Sequence, residues 1–146
     1  MYDKILFATD FSEGSHKAWD YIKHLKGSGS QEVIVLHVID QRGLYTLDRH
    51  AGDPNVFRGW QERAKEQARQ SSKAIEKALE ESGLKVKTLI KVGIPLREIL
   101  KTEEEEDVSV VVVGSHGKTN LEEIFLGSVS EAVIRRCKKP VLVVKR

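Results

Sequence analysis

Short apolar segments alternate with longer amphipathic segments along the chain. The short segments are rich in β-branched residues and most lack polar alternation, which is typical of strands buried on both faces of a parallel sheet. The pattern predicts strands at residues 5–8, 33–39, 86–90, 108–113 and 141–144. It predicts helices between them, at residues 13–26, 61–82, 96–106 and 128–137.

Three of the predicted helices have recognisable ends. Gly83 stands where the second helix should stop, because glycine accepts the left-handed conformation that follows many helices. Pro95 fits the first turn of the third helix, where a missing N–H group costs nothing. Ser128 and Glu131 have the spacing of a capping box, which predicts the start of the last helix.

Strands that alternate with helical crossovers predict a single-domain α/β fold over residues 1–146, with an open, doubly wound, five-stranded parallel sheet. Such sheets bind ligands at the carboxyl ends of their strands, where the direction of winding reverses. If the sheet order is 3-2-1-4-5, the reversal lies between the first and fourth strands. Thr9, Asp10 and Gly114 follow those two strands, so we expect a ligand site there.

Composition excludes several classes of protein. The 146 residues, of which 40% are hydrophobic, suit one domain with its own core. The net charge of +2 gives no electrostatic footprint for nucleic acid. Cys137 is the single cysteine, which excludes an internal disulfide and a multi-cysteine metal site. The first residues enter a strand pattern directly and no apolar run reaches membrane-spanning length, so we expect a cytoplasmic protein without a membrane segment.

Two segments fit neither a strand nor a helix. Residues 40–59 contain three glycines and a proline, which predicts a mobile connection, a lid or a partner-binding loop. Residues 103–107 are consecutive acidic residues at the end of a predicted helix, where negative charge is unfavourable. We interpret this acidic run as a solvated face.

The fourth predicted strand leads into a glycine-spaced loop that ends on Gly127 and Ser128. A buried strand that passes through small residues to a helix start is a common way of binding phosphate with the backbone. A Walker A loop would need a glycine at position 112, where the chain has Val112. The dinucleotide fingerprint needs three closely spaced glycines, whereas these stand at 114, 117 and 127. Both of these motifs are therefore excluded.

The remaining spacing is Gly114, two residues, Gly117, nine residues, then Gly127 and Ser128. It resembles the nucleotide-binding signature of the universal stress protein family. The segments KILFATDFSEGS, VIVLHV and CKKPVLVVKR resemble that family's first, second and last strands. The resemblance covers the whole chain. It implies an adenine nucleotide α-hydrolase-like fold, a homodimer in most members, and ATP binding in some members but not in others.

The resemblance also implies roles for individual residues. Glycines at the three signature positions let a phosphate chain approach the backbone, and the start of the last helix faces it with free N–H groups. The residues that would hold phosphates and ribose are Gly114, Gly117, Gly127, Ser128, Val129 and Ser130. Asp10 would approach the ribose hydroxyls or a magnesium or manganese ion. Val38, with Ala8 or Thr9, would line the adenine pocket.

Structural alternatives exist for several of these residues. Ser128 is a good helix cap without any ligand, and Gly114 would also suit the end of an ordinary strand. Asp10 would serve equally well as a helix-entry residue. The family commonly has glycine where this chain has Phe11, whose ring would either crowd the ribose or cover the base. His37 is predicted as a core or pocket-edge histidine.

Three functions therefore remain open. The first is an ATP-binding stress-response module that works as a homodimer, paired through the terminal strand Val141–Val144. The second is a slow ATPase or phosphotransferase, for which no catalytic residue is assigned. The third is a protein-interaction module of the same fold that does not use a nucleotide. No nucleic acid or membrane partner is expected.

Overall fold

Five strands form one parallel sheet, in the order β3-β2-β1-β4-β5. The computed structural model describes residues 2–11, 13–43, 52–115 and 128–145. The strands are β1 (Lys4–Ala8), β2 (Glu32–Asp40), β3 (Lys85–Gly93), β4 (Val110–Gly114) and β5 (Val141–Val144). The main helices are α1 (Glu13–Lys26), α2 (Pro54–Glu81), α3 (Pro95–Glu105) and α4 (Ser128–Arg136). The predicted doubly wound sheet and its order are thus confirmed.

Helices cover both faces of the sheet. α1 and α2 pack on one face, where Ile22 and Ile75 join a cluster around Phe7. α3 and α4 pack on the other face, where Ile99 and Val133 join a second cluster. Because side chains alternate along a strand, consecutive residues of β1 and β2 belong to opposite clusters. None of the helices in the described part of the chain is long and apolar enough to cross a membrane.

The central strand is β1, which pairs with β2 on one side and with β4 on the other. Ala8 lies opposite Leu36 on β2 and opposite Val113 on β4. The four valines of β4 are all buried, because helices cover the strand on both faces. The carboxyl ends of β1 and β4 are therefore level with each other at one edge of the sheet.

α2 begins earlier than the sequence pattern predicts. Its first residue is Pro54, and the Asp53 carboxylate accepts a hydrogen bond of 2.8 Å from the backbone N–H of Asn55. The interpretation of residues 40–59 as one irregular connection is therefore wrong at both ends, because Asp40 belongs to β2 and residues 54–59 are helical. An Asp-Pro start signal outweighs the low helix propensity of Gly59. Residues 44–51 lie outside the described part.

α2 and α3 end in the same backbone motif. Gly83 and Leu84 donate backbone hydrogen bonds to the carbonyls of Glu80 and Leu79. Gly83 has a φ of +89°, which confirms that glycine ends this helix. At the end of α3 the corresponding left-handed position holds Asp107, with a φ of +46°.

The acidic run is only partly a solvated face. Glu103 is 4% exposed, and its carboxylate accepts a hydrogen bond of 2.6 Å from the backbone N–H of Lys139. Glu106 pairs with Lys87 at 2.7 Å and with Lys4 at 3.8 Å. The interpretation is wrong for Glu103 and Glu106, because cations and N–H groups from distant segments offset the unfavourable charge at the helix end.

Candidate functional site

The ends of β1 and β4 meet the first turn of α4 at the reversal of the winding. Thr9 follows β1, and its backbone N–H donates to the Leu36 carbonyl at 2.9 Å. Gly114 ends β4, and its carbonyl accepts a hydrogen bond of 2.6 Å from the Ser130 hydroxyl. This bond ties the beginning of α4 to the end of β4. The fold therefore brings a helix start directly to the edge where ligands bind in such sheets.

One face of this edge is lined by small apolar side chains. Ala8 on β1 and Val38 on β2 pack partly exposed against the cluster that α3 and α4 cover. Val113 on β4 and Val133 on α4 belong to the same cluster. Val38 and Ala8, two of the three residues predicted to line an adenine pocket, therefore lie on the face that carries α4.

The first turn of α4 presents an electrostatically positive surface. Its backbone N–H groups have no acceptor within the helix, and the helix dipole adds partial positive charge at this end. Ser128 and Val129 are exposed, Val129 to 37%. Ser130 is 8% exposed, and its hydroxyl proton is already donated to Gly114. Ser130 can therefore offer an anion its backbone N–H, while its side chain serves the fold.

Asp10 lies in a tight turn between β1 and α1. The Thr9 hydroxyl accepts a hydrogen bond of 3.0 Å from the backbone N–H of Phe11, which closes the turn around Asp10. Asp10 is half-buried, and α1 begins three residues later. Phe11 packs against the cluster under α1 and α2, and its ring stacks on His37 with centroids 4.3 Å apart. Its ring thus lies on the opposite face from Ala8 and Val38.

The structure brings most of the predicted site residues to one edge. Ala8, Thr9 and Asp10 lie at the end of β1, Gly114 at the end of β4, and residues 128–130 in the first turn of α4. Val38 lies on the neighbouring strand β2. Gly117 and Gly127 fall outside the described residues, so their roles stay predictions.

Sequence reasoning missed an ion pair at this edge. The Arg42 guanidinium donates to the two Asp40 carboxylate oxygens at 2.9 and 2.6 Å, just past the end of β2. The side-chain hydrogen bond from Arg42 lowers the pKa of Asp40. An acidic residue two positions before an arginine, directly after a strand, was the available signal. Asp40 thereby restrains Arg42, which lies four residues beyond Val38.

Other chemistries find little support in the described ranges. Across residues 2–11, 13–43, 52–115 and 128–145, no group of three or more His, Cys, Asp or Glu side chains is placed to hold a metal ion. Burial, with the adjacent Glu103 carboxylate, raises the pKa of Cys137 to about 12. A thiol with such a pKa is a poor nucleophile, so Cys137 has the environment of a structural residue.

Comparison with known proteins decides the family. The family model of the universal stress proteins matches residues 1–145. The chain belongs to the universal stress protein family. It is 46% identical over 156 aligned positions to universal stress protein MJ0577 of Methanocaldococcus jannaschii, covering 100% of this chain and 96% of that protein. Universal stress protein YxiE of Bacillus subtilis is 34% identical, with 99% and 100% covered.

Solved structures agree with this assignment. The MJ0577 structure superposes with a TM-score of 0.89 at 46% identity, over 100% of this chain and 97% of that one. A universal stress protein solved with cAMP has a TM-score of 0.71 at 19% identity, over 99% and 97% of the two chains. The Archaeoglobus fulgidus protein solved with dAMP has a TM-score of 0.68 at 19% identity, over 99% and 98%. The last two likenesses establish the shared fold.

Proposed function

We propose that this universal stress protein binds ATP at the edge formed by the ends of β1 and β4. The observation that carries the proposal is the hydrogen bond from Ser130 to Gly114, which sets the first turn of α4 against the end of β4. Free N–H groups and the helix dipole then face the position where a phosphate chain would lie. Ala8 and Val38 offer the adenine ring an apolar surface on the same face.

Two further facts support an adenine nucleotide as the ligand. The spacing of Gly114, Gly117, Gly127 and Ser128 is the pattern expected of ATP-binding family members. Relatives of the same fold were solved with cAMP and dAMP, so this type of sheet accommodates an adenine base and a phosphate. Asp10, which follows β1 at the same edge, is the carboxylate we assign to the ribose hydroxyls or to a magnesium or manganese ion.

Mass spectrometry of the purified protein tests the proposal directly. Nucleotide that co-purifies would be released by denaturation and identified by its mass. Titration calorimetry with ATP, with AMP and with cAMP, each with and without magnesium, then gives the preference among nucleotides. Absence of binding at millimolar ATP would refute the proposal, because cellular ATP would then leave the site empty.

A glycine pair provides matched variants for the site. We expect Gly114→Ala to weaken ATP binding about tenfold, because a Cβ at this position holds a phosphate chain away from the backbone. Gly59→Ala is the control, since Gly59 lies inside α2 and an added Cβ would meet Arg63 at an ordinary 3.7 Å. Equal losses of affinity in both variants would contradict the assignment of Gly114.

We further propose that the chain acts as a homodimer, paired through β5. The two edges of the sheet differ in charge. β3 carries lysines at positions 85, 87 and 91, which discourage pairing with another strand, whereas β5 reads Val-Leu-Val-Val. The carbonyls of Pro140 and Val144 accept hydrogen bonds from the N–H groups of Val111 on β4 and of Ser115 just after it. The backbone N–H and C=O of Val143 therefore point toward the open edge.

Sedimentation velocity tests the dimer. At tens of micromolar we expect a dimer for the unaltered chain and a shift toward monomer for Val143→Lys. Val56→Lys controls for the added charge, because Val56 is an exposed valine of α2, remote from β5. Because the Val143 side chain packs against the second cluster, unfolding midpoints of both variants are needed to exclude loss of the fold. A monomer for the unaltered chain, or equal effects of the two lysines, would contradict pairing through β5. Repeating the measurement with saturating ATP shows whether the nucleotide controls association.

A further inference from the structure

The turn that carries Asp10 is held in a strained conformation. Phe11 has a φ of +62°, in the left-handed region that a bulky side chain seldom adopts. The hydrogen bond from the Phe11 N–H to the Thr9 hydroxyl closes the turn locally. Strain of this kind persists where surrounding contacts fix the backbone, and it is common at binding sites. The contacts that keep Phe11 in this conformation therefore determine how the turn presents Asp10.

One side chain from a neighbouring strand contacts the residues on both sides of Asp10. His37 Nδ1 lies 2.9 Å from the Thr9 carbonyl oxygen. Because a carbonyl oxygen only accepts, Nδ1 carries the proton and donates it. The imidazole ring also stacks on the Phe11 ring, tilted by 32°. A residue 28 positions away in sequence from Thr9 thus holds both ends of the turn.

His37 holds the turn from the face opposite the apolar surface of the site. Residues of a strand alternate between faces, so His37 shares its face with Val33 and Val35, under α1 and α2. Ala8 and Val38 belong to the other face, under α3 and α4. His37 therefore acts through the turn, away from the surface that would receive the adenine ring.

We infer that His37 is a positioning residue of the nucleotide site. Its hydrogen bond and ring stack hold Thr9 and Phe11, and they thereby present Asp10 at the end of β1 in one orientation. A site that is already ordered before binding loses less entropy when the ligand arrives. The inference rests on the proposed ATP site, and it assigns to this histidine a role in affinity rather than in contact with the ligand.

Two substitutions separate the hydrogen bond from the ring. His37→Phe keeps a ring beside Phe11 and removes the donor, whereas His37→Asn keeps an N–H donor at nearly the position of Nδ1. We expect His37→Phe to raise the Kd for ATP about fivefold, and His37→Asn to stay within about twofold of the unaltered chain. Ile39→Ala is the control for general weakening, because Ile39 shares the strand and face of His37 and has no polar side chain.

A second measurement needs no nucleotide. Hydrogen exchange of the Phe11 amide, which donates to the Thr9 hydroxyl, reports how well the turn is held. We expect exchange to be about fivefold faster in His37→Phe and restored in His37→Asn. Unfolding midpoints of all variants, measured in parallel, exclude loss of the fold as the cause.

The outcomes distinguish this inference from the proposed function. Unchanged ATP affinity in His37→Phe overturns the inference, as does a His37→Asn variant that is as weak as His37→Phe. If the unaltered chain binds no ATP at millimolar concentration, the proposed function fails and the role in affinity fails with it. The exchange rates then decide separately whether His37 holds the turn, and unchanged rates overturn that part as well.

Discussion

Removal of the Ser130 hydroxyl tests how the first turn of α4 is attached to the sheet. The hydroxyl donates a hydrogen bond of 2.6 Å to the Gly114 carbonyl, 16 residues away in sequence, and Ser130 is 8% exposed. A buried hydrogen bond contributes about 1 kcal/mol net, and a carbonyl left without this donor adds about 1 kcal/mol more. The better helix propensity of alanine returns about 0.5 kcal/mol. We therefore expect Ser130→Ala to destabilise the protein by about 1.5 kcal/mol.

Urea unfolding of nucleotide-free protein measures this loss. Protein concentration is held constant, because a dimer's apparent stability depends on concentration. Ser71→Ala is the matched control, since Ser71 is exposed in the middle of α2 and reports the propensity gain by itself. A loss of 1.5 kcal/mol corresponds to a fall of about 5 °C in Tm for a domain of this size. Equal stabilities of Ser130→Ala and Ser71→Ala would refute the proposed attachment.

Three further predictions concern helix ends, the cysteine and α2. Gly83 and Asp107 both have positive φ, which glycine tolerates better than other residues. In urea unfolding, Gly83→Ala should therefore destabilise the protein by about 1 kcal/mol, and Asp107→Gly should stabilise it by about 0.5 kcal/mol. Effects of the same sign in the two variants would contradict this. Burial raises the pKa of Cys137 from 9.0 to about 12, so above pH 9 the unfolded state loses a proton that the folded state keeps. The free energy of unfolding should therefore fall between pH 9 and pH 12, and it should fall less in Cys137→Ala. If the urea midpoint changes by the same amount between pH 8 and pH 10 in both chains, the raised pKa of Cys137 is disproved. Gly59→Ala should raise the unfolding free energy by about 0.5 kcal/mol, since Gly59 lies inside α2 with room for a methyl group; a loss in the same assay would show a hidden clash.

The sequence predicts those parts of the candidate site that depend on short segments of the chain. Strand ends, glycine spacing and a helix start predict that Thr9, Asp10, Gly114 and Ser128 lie at one edge. The hydrogen-bond partners of the side chains at this edge were not predictable from the sequence. Ser130 is predicted to hold phosphate or ribose, and the structure shows that its hydroxyl donates its proton to the Gly114 carbonyl. A hydroxyl has one proton, and its nearest acceptor depends on how two distant segments pack.

The N-terminal boundary of α2 shows a different limit. The glycines and scattered apolar residues of residues 40–59 predict an irregular connection, whereas the structure caps a helix at Asp53 and begins it at Pro54. Helix formation is cooperative, and a long helix that packs through its second half extends over a single unfavourable residue at modest cost. Ile75 and Leu79, buried under the sheet, anchor that second half.

The sequence by itself determined the order of the elements, the parallel sheet and the edge at which a ligand is expected. These follow from β-branched runs, helix caps and glycine spacing, which are properties of short segments. The tertiary structure alone decided that Phe11 stacks on His37 and that Glu103 is buried against the N–H of Lys139. Each of these contacts joins residues far apart in the chain, and its geometry exists only once the helices have packed on both faces of the sheet.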